Sequence, residues 1–141
     1  MAKRRQPVPT PIAYVKRWKH APLFDRGYLP VPQLFLERAA KLNPRLKPAQ
    51  ALLVLNLLSF KWFEDAPFVS YATLGGRLGI SAKQAQRQAK ELERAGYLRI
   101  EEQPGRQNRF HLDGLFDALN GLPVQQGEQA DAGQEHGPQA A

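Results

Sequence analysis

The chain has 141 residues, enough for one compact domain with tails and too few for two large cores. Hydrophobic residues make up 43% and mean hydropathy is −0.49, and no run approaches the ~20 apolar residues of a membrane span, so a core is expected and a transmembrane segment is not. With no cysteine, the sequence excludes disulfides, Cys-ligated zinc and thiol catalysis. The basic start, Met1 to Arg5, is followed by proline-punctuated residues rather than an apolar stretch, so no signal peptide is read and a cytoplasmic protein is expected. No membrane contact is expected.

Net charge is +7 with a pI near 10.0, and its distribution is uneven. Residues 1–50 hold eleven Lys and Arg against Asp25 and Glu37; residues 51–120 hold nine against eight acids; residues 121–141 hold three acids and no cation. A basic front half points either to a polyanionic partner or to a solvated surface, and charge alone does not choose between them.

In chain order, residues 1–12 read as a flexible basic arm without helical or strand period. Tyr28 to Pro32 reads as extended, because Pro30 and Pro32 bias their predecessors away from helix. Leu34 to Leu42 reads as a short helix closed by Asn43-Pro44. Pro48 suits a first helical position, with Gln50 reaching back to the cap. Ala49 to about Phe63 is apolar nearly all round and reads as a buried central helix, broken over Glu64 to Pro67. Residues 13–122 form the expected domain, and 123–141, rich in Gln, Gly and Ala, the expected disordered tail.

The densest signal begins at Ser70, a candidate cap for a helix with Leu74 and Leu78 on one face. Gly79 supplies the positive φ of a tight turn and Ile80 fills the angle between helices. Ser81 with Gln84 makes a capping box for the next helix, in which Ala85, Ala89 and Leu92 face inward. Leu74, Leu78, Ile80 and Leu92 are all expected in the core. That leaves Lys83, Gln84, Gln86, Arg87 and Lys90 outward, long donors on the helix that would enter a major groove. After Gly96, Tyr97 to Glu101 and Asn108 to Leu112 alternate at period two around the turn Gln103 to Gln107, a hairpin with a cationic tip. Helix, turn, helix, hairpin is the order of a winged helix-turn-helix. The expected class is α+β, mainly helical with a C-terminal β-hairpin wing.

Residues 27–119, and above all SYATLGGRLGIS and ELERAGYL, resemble the winged-helix proteins of mobile elements and their hosts, close to the N-terminal domains of phage and plasmid replication initiators of the lambda O type. The resemblance implies that Ser81 to Lys90 form the recognition helix and Arg106 to Arg109 the wing. The sequence departs from the pattern at Lys47, where relatives often have Ser or Thr, and at Ala82 and Gln84, where they often have Arg or Thr, so no base preference carries over. No counterpart is expected for the helicase-recruiting second domain of such initiators.

The expected DNA contacts are therefore Ser81, Lys83, Gln84, Gln86, Arg87 and Lys90 on the recognition helix, and Arg106, Asn108 and Arg109 on the wing. Arg109 has an alternative partner in Glu101 across the hairpin. Lys3, Arg4 and Arg5 either enter a minor groove or are a loose end. Lys16, Arg17 and Lys19, interleaved with Tyr14 and Trp18, suggest a nucleic-acid surface, with Trp18 packed on the core and solvated lysines as the alternative. Phe60, Trp62 and Phe63 read as core or dimer seam. His20, His111 and His136 lack metal-ligand spacing, Glu64-Asp65 and Glu101-Glu102 lack a catalytic partner, and Gly75-Gly76 lies inside a helix, so neither enzyme activity nor a metal or other cofactor is expected. The expected partner is double-stranded DNA, in transcription or replication control beside proteins of those processes. Because one chain reads only a few base pairs, specificity leaves room for a homodimer. The competing reading is a protein-interaction adaptor that reads no DNA, kept open by the near-neutral charge of residues 51–120.

Overall fold

Cations and prolines shape the front of the chain before any core appears. The computed structural model describes residues 12–61 and 65–122, so the arm with Lys3, Arg4 and Arg5, the segment with Trp62 and Phe63, and the tail with His136 lie outside the described residues. Helix α1 (Ile12–Trp18) buries none of its residues and ends where Lys19 adopts a left-handed φ of 71°. A single 3-10 turn, Ala21–Phe24, follows, and Tyr14 and Phe24 each meet Tyr28 edge-on. Trp18 is 62% exposed, so it does not pack on the core. Helix α1 buries no residue, so it does not carry the indole inward.

Through Pro30 and Pro32 the chain is extended into α2 (Gln33–Arg38), which tightens into a 3-10 turn at Ala39–Lys41. Phe35 and Arg38 face inward, and the Arg38 Nη1 donates to the Leu119 carbonyl at 2.9 Å, tying the front of the domain to its last helix. Leu42 and Leu46 are buried on either side of a cis Asn43–Pro44 bond. Helix α3 (Pro48–Ser59) starts as its sequence suggests, with Pro48 in the first turn and the Lys47 N–H donating to Gln50 Oε1 at 2.9 Å. It ends earlier than the apolar run. Asn56 and Ser59 turn their side chains onto the backbone carbonyls of Leu52 and Asn56, and Phe60 caps the helix. Nor is it buried all round: Leu53, Val54 and Leu57 are inside, but Leu52 is 48% exposed.

Helices α4 (Tyr71–Leu78) and α5 (Ala82–Arg94) cross against α3, and the hairpin β1 (Arg99–Glu101) and β2 (Arg109–His111) follows. The strands are antiparallel, with Ile100 opposite Phe110 and Glu101 opposite Arg109. A third extended segment joins β2: the Phe110 N–H donates to the Pro67 carbonyl at 2.9 Å, the Val69 N–H to the Asn108 carbonyl at 3.3 Å, and Phe68 bridges Arg109. The hairpin is not the end of the fold. Helix α6 (Asp113–Gly121) packs back with Leu115 and Leu119 buried, and it approaches so closely that a Cβ on Gly114 would stand 2.1 Å from the Gly96 carbonyl oxygen. This is a mainly helical domain with a two-stranded wing, the winged helix-turn-helix class.

The core joins Leu53, Val54 and Leu57 of α3, Leu74 of α4, Ala85, Ala89 and Leu92 of α5, Phe110 of the wing and Leu115 of α6. Leu78 and Ile80 are only partly buried and pack on its edge, which corrects their placement in the core. They sit at the open end of the α4–α5 corner, where the turn itself faces solvent.

Candidate nucleic-acid interface

Two helices meet at a fixed angle because their junction is specified atom by atom. The Ser70 Oγ accepts the Thr73 N–H at 3.1 Å and starts α4; Gly79 ends it with φ 71°, and the Ile80 N–H returns to the Gly75 carbonyl at 2.9 Å. Gly75 is needed for a second reason. A Cβ there would lie 2.6 Å from the Ile80 carbonyl oxygen and 3.0 Å from that of Ser81, so only glycine lets the turn fold back onto α4. Ser81 Oγ then accepts the Gln84 N–H at 3.1 Å while Gln84 Oε1 accepts the Ser81 N–H at 3.0 Å, the reciprocal box that opens α5. The small Ala85 and Ala89 are fully buried, which draws the α5 backbone close to its neighbours.

Because Ala85, Ala89 and Leu92 point inward, Lys83, Gln86 and Arg87 are exposed on the opposite side at helical spacing. Ser81 and Gln84 are also exposed, but their side-chain oxygens hold the cap; the Gln84 amide nitrogen is the part of that side chain left to face outward. Lys90 differs from the others. Its Nζ lies 3.8 Å from Glu93 and 3.6 Å from Glu102, so carboxylates partly neutralise it. The acids of α5 are turned to structural partners: Glu91 lies 3.8 Å from Lys47 and accepts from Gln50, and Glu93 accepts the Ile100 N–H at 3.0 Å. The first two turns of α5 therefore present cations and amides without an acid, and the last turn is tied to the wing.

At the wing, Gly105 takes φ 72° and the Arg106 N–H closes the turn on the Gln103 carbonyl at 3.0 Å, leaving the Arg106 side chain exposed. Asn108 and Arg109 are half-buried at its base. Glu101 does not take Arg109 as its partner. His111 Nε2 lies 2.8 Å from Glu101 Oε1, and this contact holds the Glu101 carboxyl below its ordinary pKa. Arg109 instead lies over the Phe68 ring, 5.4 Å from its centroid. Between the wing and the start of α4 runs an open cleft of about 680 Å³, lined by Ser70, Tyr71, Gln103, Arg106 and Arg109 among others. Tyr71 stacks edge-on against Phe110, and burial raises its phenol pKa.

Sequence reasoning did not single out Arg77 or Phe68. The Arg77 guanidinium lies 4.3 Å over Phe60 and donates to Ser59 Oγ at 2.8 Å, which fixes Phe60 as an edge of the core and ties α4 to the end of α3. Neither pairing has a local sequence signal, since each joins residues distant in the chain. Among the described residues, no group of His, Asp or Glu is placed to hold a metal ion, and no helix is long and apolar enough to cross a membrane.

Residues 45–98 match the helix-turn-helix domain family, a span from the approach to α3 through α5 to the edge of the wing. No curated protein matches the chain. Among solved structures, it is similar to the N-terminal domain of DnaD protein from Geobacillus kaustophilus HTA426, with a TM-score of 0.56 at 24% identity, over 86% of this chain and 94% of that one. At that identity the likeness is one of fold, and it extends well beyond the helix pair. Residues 45–98 thus match a helix-turn-helix domain, set within a fold of the winged-helix class.

Proposed function

We propose that this chain recognises double-stranded DNA sequence-selectively, with α5 in the major groove and the wing on the adjacent backbone, as a non-enzymatic factor in replication or transcription control of a bacterial or mobile-element system. The observation that carries the proposal is the acid-free row Lys83, Gln86 and Arg87, exposed on a helix whose other side is locked in the core. Such a row gives a rigid set of donors to base edges, and the pairing of Glu91 and Glu93 with protein groups keeps their charge off it. Arg106, Asn108 and Arg109 then position the duplex, since wing contacts of this kind fall mainly on phosphates. The setting in replication or transcription rests on the resemblance to initiator domains, and the working compartment is the cytoplasm at the nucleoid. No cofactor enters this reading, and a homodimer would double the base pairs read.

Arg87→Ala should weaken binding to the preferred site by ~1–3 kcal/mol and relax base preference at one position. Arg106→Ala should weaken all duplexes alike, because phosphates carry no sequence information. Selection from a random duplex pool supplies the site, and anisotropy titration at about 0.1 M salt, with a Debye length of ~10 Å, reads both variants. If both folded variants bind duplex as the parent does, the adaptor reading takes its place.

A further inference from the structure

The α1 helix contributes nothing to the core, yet its surface is chemically specific. Tyr14 and Trp18 stand four residues apart on one helical face, and Trp18 is 62% exposed. The Arg17 guanidinium lies 5.8 Å from the Tyr14 ring centroid, and Tyr28 extends the aromatic run with its centroid 6.0 Å from that of Tyr14. Lys16 and Lys19 are exposed beside them, and no acid occurs from Ile12 to Phe24. The α5 site is built differently, since it exposes no aromatic side chain at all.

We propose that Tyr14, Arg17 and Trp18, flanked by Lys16 and Lys19, bind single-stranded nucleic acid at a site separate from the duplex-reading α5. Flat exposed rings beside cations with no acid in the helix suit unpaired bases joined by phosphates: the rings take base faces and the cations take the backbone. A duplex offers its phosphates but hides its base faces in the stack, so it uses only half of this surface. A second copy of the chain would bring Lys16, Arg17 and Lys19 against themselves or their like, at a Coulombic cost. A lipid surface suits it less, because seven residues span only about 10 Å of helix at 1.5 Å per residue, short for a helix lying in a bilayer interface.

The test uses the full-length chain and a labelled oligothymidylate of about 20 nucleotides, longer than a typical single-strand site. Trp18→Ala should weaken its binding roughly fivefold or more, the loss expected for one stacked base, while Trp18→Phe retains most of it. Duplex affinity should stay unchanged in both, and Arg87→Ala should show the reverse pattern, so this proposal and the duplex reading fail independently. Because α1 buries nothing, Trp18→Ala should keep the parent's circular dichroism. Oligothymidylate affinity equal in parent and Trp18→Ala overturns the proposal, as does a parent that binds none. In either case, loss of binding to mixed phosphatidylglycerol and phosphatidylcholine vesicles would assign the face to lipid, and a lower mass by light scattering would assign it to a second copy.

Discussion

Helices α1 and α5 both display cations, but they stand in opposite relations to the core. α5 buries Ala85, Ala89 and Leu92 and is fixed at its start by a reciprocal cap, so its outward side chains inherit the rigidity of the whole domain. α1 buries no residue and is held through ring contacts with Tyr28 and the 3-10 turn that follows it. The contrast shows what an exposed row of cations needs in order to read a defined shape. A base edge is recognised within a few tenths of an ångström, which demands a helix that cannot tilt. Stacking on an unpaired base tolerates a looser platform, because the base is itself free to turn.

Stability measurements break this comparison most directly. Leu74 is fully buried between α4 and the rest of the core, and Leu74→Ala should cost roughly 2–5 kcal/mol in urea denaturation. Leu78→Ala should cost less, because that side chain is already partly in water. Trp18→Ala should fall within about 0.5 kcal/mol of the parent, as surface changes do. A Trp18→Ala loss as large as that of Leu74→Ala would show α1 to be a structural part of the domain after all.

Adjacent glycines sharpen the comparison at the corner itself. Gly76 has open space where a Cβ would go, so Gly76→Ala should stabilise by about 0.5–1 kcal/mol through helix propensity. Gly75→Ala gains the same propensity but forces a methyl against the Ile80 and Ser81 carbonyls, and should be destabilising by roughly 1–3 kcal/mol. Opposite signs in thermal melts are the expected result. If both changes stabilise, the α4–α5 corner is looser than its geometry implies.

The smallest effect concerns the wing. The His111 contact holds the Glu101 carboxyl below its ordinary value of 4.5, so the ionised form favours the folded state. That contribution is present above pH 4.5 and is lost as pH falls through the lower folded value. Glu101→Gln should remove it, so parent and variant converge in acid and separate slightly toward neutrality. An NMR titration that places the Glu101 carboxyl at or above its ordinary value would dissolve the contact.

The parts of this fold legible in the sequence are those set by near neighbours. Ser70, Gly79, Ser81 with Gln84, and Pro48 with Gln50 all act within four residues, and each is found where its spacing places it. The inward row Ala85, Ala89 and Leu92 follows from helical period alone, and so does the outward row that carries the candidate interface. What period does not give is how far a residue lies from the edge of the core. Leu78 and Leu92 carry the same side chain within apolar periods, yet one lies partly buried at an open corner and the other is buried in the core. The pairing of Lys90 with Glu102, of Glu101 with His111 rather than Arg109, and of Arg38 with Leu119 joins residues whose separation only the folded chain closes. The sequence by itself determined the helix-turn-helix and its outward donors, because caps, glycines and periods act locally. Tertiary structure alone decided which cations stay unpaired, that α6 closes over Gly96, and that Trp18 stands in water, because each depends on what a distant segment brings near.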